Sequence, residues 1–258
     1  LQLRRLYRAG WDDLAIARRV RGVVPELLEL ARGADTCSLL LTVRLTAAGR
    51  TDAGVHALMQ VAHFDTTAVR PEQAWVLGGS AAAADDLSVL WAREVPGDFH
   101  ARFSALSRTY CYRVLNRRIR PALERQRSCW IRRPVDAAAM HEAAQCLLGE
   151  HDFSAFRSAH CESSTPVRRI TAVAVRRYGM RVEIEVSANA FLHHMVRNIA
   201  GTLLAVGVGD RPVAWVAEVL AGRDRTVAGP TAVARGLYFA GVDYAARYGL
   251  PSVPASFR

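Results

Sequence analysis

From residue 39 onward the apolar positions fall into short, regular patterns. Leu41, Val43 and Leu45 alternate with Thr42, Arg44 and Thr46, the period of a half-buried strand. Residues 48–54 read as a turn, and residues 55–64 as a second strand. A helix is predicted over 71–77, with Pro71 at its first position, and a strand over 87–93, bounded by Pro96-Gly97-Asp98. Residues 109–115 alternate Tyr110, Tyr112 and Val114 against Cys111, Arg113 and Leu115, which puts two tyrosines on one face. Asp136 caps a predicted helix that runs to Leu148 and stops at Gly149. Strands over 170–175 and 180–186 flank Tyr178-Gly179, a hairpin signal. Helices follow over 190–206 and 212–220, the latter with Gly222 just past its end, and residues 237–244 form a closing strand. Strand pairs interleaved with single helices in two halves give an α+β fold with antiparallel sheets. We place the halves at 1–100 and 101–258. Residues 1–38 are Arg-rich and weakly patterned, with one short helix over 23–30 and no visible strand.

Charge narrows the partners. Lys and Arg number 34 against 24 Asp and Glu, a formal charge of +10, and every basic residue is Arg. A surface of that sign attracts polyanions. No apolar run approaches the ~20 residues that cross a bilayer, so no membrane partner is expected. The start of the chain has no continuous apolar stretch of the secretory kind. Five widely spaced cysteines form no Cys-x-x-Cys, which argues against a zinc ribbon or a disulfide framework and places the chain in a reducing cytoplasm.

The most distinctive chemistry sits in Gly49-Arg50-Thr51-Asp52-Ala53-Gly54-Val55-His56. Two glycines permit a tight turn and a close approach by another molecule, and one carboxylate, Asp52, lies between them. By spacing alone, an Asx-type turn explains Asp52 more simply than catalysis does. His193-His194 suggests metal only weakly: neighbours on a helix diverge by about 100°, no Glu-x-x-His framework accompanies them, and no metal is expected. His56 and His63 lie seven apart along a strand, hence on opposite faces.

The Asp52 segment, with Gln60-Val61-Ala62-His63-Phe64, closely resembles the signature of the TruA family of tRNA pseudouridine synthases. So, in the same order, do Asp98-Phe99-His100-Ala101-Arg102-Phe103-Ser104-Ala105, Arg108-Thr109-Tyr110-Cys111-Tyr112, residues 149–157 and residues 188–198. The resemblance covers residues 45–248 and reverses the odds on Asp52. It implies two ferredoxin/RRM-like halves whose sheets join centrally, helices on one side, and a catalytic cleft between the halves. It implies isomerisation of uridine to pseudouridine at positions 38–40 of the tRNA anticodon stem-loop, with no cofactor, by a homodimer that binds tRNA. Asp52 carries over as the catalytic carboxylate and Arg197 as its ion-pair partner. Arg50 carries over as an RNA contact that helps extrude the base, Tyr110 as the residue beneath the target base, and Leu237 as an apolar wall.

The resemblance fades before about residue 41, where the family's Tyr-Asp-Gly strand and Val-Gln helix are expected. Translation of residues 1–38 from a shifted reading frame is one explanation. A non-catalytic tRNA-binding protein, impaired by that segment, is then the alternative to an enzyme.

Overall fold

A computed structural model describes residues 13–19 and 45–251. These residues divide into two compact units. The first takes residues 13–19, 45–53, 57–106 and 242–251; the second takes 54–56 and 107–241. The expected helix over 23–30 lies outside the described residues, as does most of the strand around residues 41–45.

In the first unit, β1 (Asp13–Arg19), β2 (Thr46–Ala47), β4 (Gln60–Asp65) and β5 (Ser88–Val95) form a sheet in the order β2-β4-β1-β5. The sequence reading saw no strand before residue 39. Yet β1 pairs in parallel with both β4 and β5. The first unit is therefore a mixed sheet, with only β2 antiparallel to its neighbour β4. The cause is the helix α1 (Glu72–Ala82), which links β4 to β5. A helical crossover returns the chain to the same end of the sheet, so the strand after it runs in the same direction as the one before. α1 extends five residues beyond the predicted helix, and Pro71 sits at its N-cap, one position earlier than expected. Trp75 and Val76 lay it on Ala62, Phe64, Leu87 and Val89, and Trp75 meets Phe64 edge-on at 5.4 Å.

The predicted strand 55–64 is broken. β3 (His56–Ala57) and β4 belong to different sheets, separated by a bend at Leu58 and Met59. The second sheet has the order β3-β11-β6-β10-β9-β8. Its strands are β6 (Ala105–Asn116), β8 (Gly149–Asp152), β9 (Val167–Tyr178), β10 (Arg181–Ala188) and β11 (Leu237–Tyr244). A short strand, β7 (Cys129–Ile131), runs parallel to β6. Along β10, Val182, Ile184, Val186 and Ala188 are fully buried while the residues between them are half-buried. That period of two puts one face of the sheet into a core. The helices α2 (Ala137–Ala144), α3 (Met195–Gly207) and α4 (Trp215–Gly222) share this core with Tyr112 and Val114.

Local chemistry sets most boundaries. Asp136 Oδ1 accepts from the backbone N–H groups of Ala138 (2.9 Å) and Ala139 (3.0 Å), the expected N-cap of α2. The helix tightens into a 3₁₀ turn at Gln145–Leu147, and Gly149 follows with φ 98°. The β9–β10 hairpin closes through Gly179 at φ 58° and Met180. A positive φ at the first loop position suits a type II′ turn, which glycine adopts without strain. Two helices start later than predicted: α3 at Met195, after His194 takes a left-handed conformation (φ 61°), and α4 at Trp215. α4 ends on Arg223 at φ 53°, so an arginine and not Gly222 holds the left-handed position. Among the described residues no helix is long and apolar enough to cross a membrane.

Candidate active site

Asp52 belongs to the first unit, on the loop that follows β2. The loop's base is fixed to β4: Ala48 N–H donates to Val61 O at 2.7 Å, and Gln60 Nε2 donates to Gly49 O at 2.9 Å. Thr51 is buried, Asp52 half-buried and Arg50 exposed. The loop thus anchors its threonine, holds its carboxylate part way out, and leaves a guanidinium in water. Gly54, just beyond, has φ 81°, a conformation that makes glycine the unstrained choice there.

The other expected site residues belong to the second unit. Tyr110 and Tyr112 share a face of β6, as their spacing predicts, but their surroundings differ. The Tyr112 hydroxyl donates to Val233 O at 2.8 Å, and burial pushes it up, well above the usual phenol range. It is a structural donor that stays protonated. Tyr110 is only half-buried, and its ring meets Phe191 (4.9 Å between centroids) and Phe239 (5.0 Å) edge-on. Leu237 opens β11 and lies on the same face as Phe239, two residues on. Phe239 therefore joins Tyr110 to the strand face that carries Leu237. The opposite face holds Tyr238, stacked on His56 at 4.8 Å, with the Arg113 guanidinium 4.3 Å from its ring centroid.

Arg197 lies in the first turn of α3 and is gripped twice by one residue. Its Nε donates to Ala232 O at 2.8 Å, and its own carbonyl accepts from Ala232 N–H at 3.1 Å. The sequence reading gave no role to the next residue, yet Asn198 organises this region. It is fully buried; its Nδ2 donates to Phe156 O (2.8 Å), and its Oδ1 accepts from Thr231 Oγ1 (2.7 Å) and Arg225 Nη2 (3.1 Å). Thr202, one turn on, donates to Asn198 O and accepts from Gly229 N–H. A signal for this was present: Asn198 and Thr202, four apart, interrupt a helix otherwise lined by Val196, Ile199, Ala200 and Leu203. α3 and the 229–232 segment meet with no room for another atom. A Cβ on Gly201 would fall 1.7 Å from Pro230 O.

His193 and His194 do not lie on a helix, as the sequence reading had them. They precede α3, and the left-handed turn at His194 stacks their rings 3.9 Å apart. Beside them the Cys161 thiol accepts from His193 N–H at 3.4 Å. Partial burial works to raise that thiol, but backbone N–H groups of His193 and Ser163 and the Arg157 guanidinium outweigh it and hold it below the ordinary thiol range. Burial pushes Cys111 the other way, up to about 12.

The chain is similar to proteins of one family throughout. A family model described as tRNA pseudouridine synthase matches residues 143–245. A tRNA pseudouridine synthase A of Xylella fastidiosa (strain M23) is 57% identical over 243 residues, covering 94% of this chain and 92% of that protein. A protein of the same name from Xanthomonas oryzae pv. oryzae (strain PXO99A) is 56% identical over 210 residues, covering 81% and 82%. Another from Xanthomonas campestris pv. campestris (strain B100) is 55% identical over the same length and coverage. Coverage of 94% carries the Xylella alignment well into the first 38 residues, the part where motif resemblance fades. At this level of identity across nearly its whole length, the chain belongs to the tRNA pseudouridine synthase family.

Proposed function

We propose that this protein isomerises uridine to pseudouridine in tRNA, at positions 38–40 of the anticodon stem-loop, in the cytoplasm and as a homodimer. The observation that carries the reaction is 57% identity over 94% of the chain to a tRNA pseudouridine synthase A. The stem-loop positions, the dimer and the compartment extend the family resemblance. The formal charge of +10 supports a polyanionic substrate.

The reaction breaks the uracil N1–C1′ bond, turns the base, and joins C5 to C1′. The C5 hydrogen leaves as a proton and N1 gains one, so the nucleotide keeps its composition and no electrons are exchanged. The step needs a carboxylate that attacks, or stabilises a cationic sugar, and this role is assigned to Asp52. The loop's bonds to β4 support that role, because they spare the carboxylate reorganisation when substrate binds. Tyr110 is assigned to the target base: a half-buried ring wedged by Phe191 and Phe239 offers a fixed surface for stacking. Leu237 is assigned to the apolar wall beside it. Arg197 is assigned as the ion-pair partner of the catalytic carboxylate, and Arg50, exposed, to the phosphate backbone as the base leaves its stack. Extruding a base costs a few kcal/mol, which phosphate contacts can offset.

Tritium release from tRNA labelled at uracil C5 reports the C5–C1′ bond directly. Wild-type protein is expected to release tritium, and Asp52→Asn to release none while binding tRNA within a few fold of wild type. Release that persists in Asp52→Asn removes Asp52 from the chemistry. A folded wild-type chain that binds tRNA but releases nothing refutes the catalytic reading.

A further inference from the structure

One turn of the first unit is built more rigidly than its exposure explains. In residues 100–104, His100 N–H donates to Ser104 Oγ (3.0 Å), and Ser104 N–H returns to His100 O (2.8 Å). The N–H groups of Arg102 and Phe103 both donate to His100 Nδ1 at 3.2 Å. The turn is rooted in the core through Ala101, which is fully buried. Its N–H donates to His63 Nδ1 (3.0 Å) and its carbonyl accepts from the Tyr244 hydroxyl (2.6 Å). This framework holds a phenyl ring out in water. Phe103 is 76% exposed. Its ring leans on His100, with centroids 4.3 Å apart, and the Arg102 guanidinium lies 5.5 Å from its centroid.

An exposed phenyl forgoes the stabilisation that burial gives most aromatic side chains. The turn's hydrogen bonds are made by backbone, His63, His100, Ser104 and Tyr244, so none of them needs an aromatic side chain at 103. A rigid ring beside a guanidinium combines the two elements that sequence-independent RNA sites use: a face on which a base stacks, and a cation for the neighbouring phosphate. Chemistry of that kind favours an unpaired nucleobase over a protein partner, whose interface would bury the ring among apolar neighbours.

We propose that Phe103 is a stacking platform for an unpaired base of the RNA substrate, separate from the target uridine, with Arg102 on the adjoining phosphate. The proposal rests on the tRNA reading above and adds a positioning contact to it. The turn's geometry fixes where that base is held before chemistry begins.

The test compares Phe103→Ala, Phe103→Trp and Arg102→Ala in the full chain, using an unmodified tRNA transcript. Loss of one stacked base predicts that Phe103→Ala weakens tRNA binding and raises KM by roughly 5- to 150-fold, with kcat within twofold. Phe103→Trp keeps a planar face and is expected to restore both. Arg102→Ala is expected to weaken binding less and to flatten its salt dependence. Unchanged binding in Phe103→Ala overturns the proposal. So does failure of Phe103→Trp to rescue, since stacking then is not what the ring supplies. So does a change in mass of Phe103→Ala on sizing chromatography, which would make the phenyl a contact between copies of the chain. Wild-type protein that binds tRNA with a Phe103-dependent affinity, yet releases no tritium, keeps the platform and refutes the isomerase reading instead.

Discussion

Glycine-to-alanine substitutions at Gly201 and Gly78 are expected to move stability in opposite directions, although both sit inside helices. On α3, a Cβ at Gly201 would fall 1.7 Å from Pro230 O, 2.9 Å from Pro230 C and 3.3 Å from Ala232 N. Real carbon–oxygen contacts close to about 3.3 Å at best, so the 229–232 segment must retreat by more than an ångström. That segment is held by Ala232 to Arg197 in both directions, by Thr231 to Asn198, and by Gly229 to Thr202 and Arg225. Overpacking costs about 1–3 kcal/mol. Losing the two Ala232 bonds adds about 1 kcal/mol each, and the better helix propensity of alanine returns up to about 1 kcal/mol. The net is about 3 kcal/mol of destabilisation. At roughly 2–4 °C per kcal/mol for 150–250 residues, the melting transition falls by about 6–12 °C. Turnover should fall further than folding does, because Ala232 O also positions Arg197. Gly78, in α1, has nothing among the described residues within 4 Å of its would-be Cβ and an ordinary φ. Alanine there should add about 0.5–1 kcal/mol. Thermal unfolding followed by circular dichroism, with tritium release on the same preparations, checks both. A Gly201→Ala melt at or above wild type would show that the 229–232 segment is not the fixed wall described here. A lowered melt for Gly78→Ala would undo the comparison from the other side.

Two further outcomes follow from local chemistry. Asp136→Ala removes the acceptor for the Ala138 and Ala139 N–H groups and is expected to lower stability by about 1 kcal/mol, while Asp136→Asn keeps most of it; urea titration of the three proteins decides. Iodoacetamide at neutral pH should alkylate Cys161 before Cys111, Cys129 or Cys146, since the thiolate is the nucleophile and burial raises the other three thiols. Peptide mapping over time reads the order, and earlier labelling of Cys146 would contradict it.

The parts of the fold legible in the sequence are those where one local signal decided the structure. β11 begins and ends at Leu237 and Tyr244 as its apolar run does, and Asp136 caps α2 with the side chain that betrays it. Signals failed where a tertiary contact overrode them. Residues 190–194 continue the apolar pattern of α3, but Asn189 Oδ1 captures the N–H groups of Arg169 and Ala190, and Phe191 leaves to brace Tyr110. The strand over 55–64 reads as one because Val55, Ala57, Met59 and Val61 are all buried; nothing in the pattern shows that β3 and β4 join different sheets. β1 has only Leu14 and Ile16 as large apolar residues, too few to set a period amid arginines. The assignments of Asp52, Tyr110 and Arg197 to the candidate site come from the resemblance, not from the apolar pattern. The Asn198 network that fixes the wall around Arg197 is visible only once distant segments meet.

The first unit is assembled from both ends of the sequence, and this bears on the order in which the protein is made. Residues 242–251 close around Phe99: Tyr244 and Tyr248 pack on its ring at 5.1 and 4.9 Å, Tyr244 bonds Ala101, and Arg247 pairs with Asp98 at 2.9 Å. Tyr244 and Ala101 are 143 positions apart. At about 5–20 residues per second, a ribosome needs roughly 7–30 s to travel that distance. The stretch from 57 to 106 emerges first yet must wait with Phe99 uncovered, while residues 107–241 already hold a contiguous core of their own. Folding during synthesis is therefore expected to proceed from the middle of the chain outward. A chain ending at residue 241 and released from the ribosome should yield a protease-resistant second unit beside a first unit that is still cleavable.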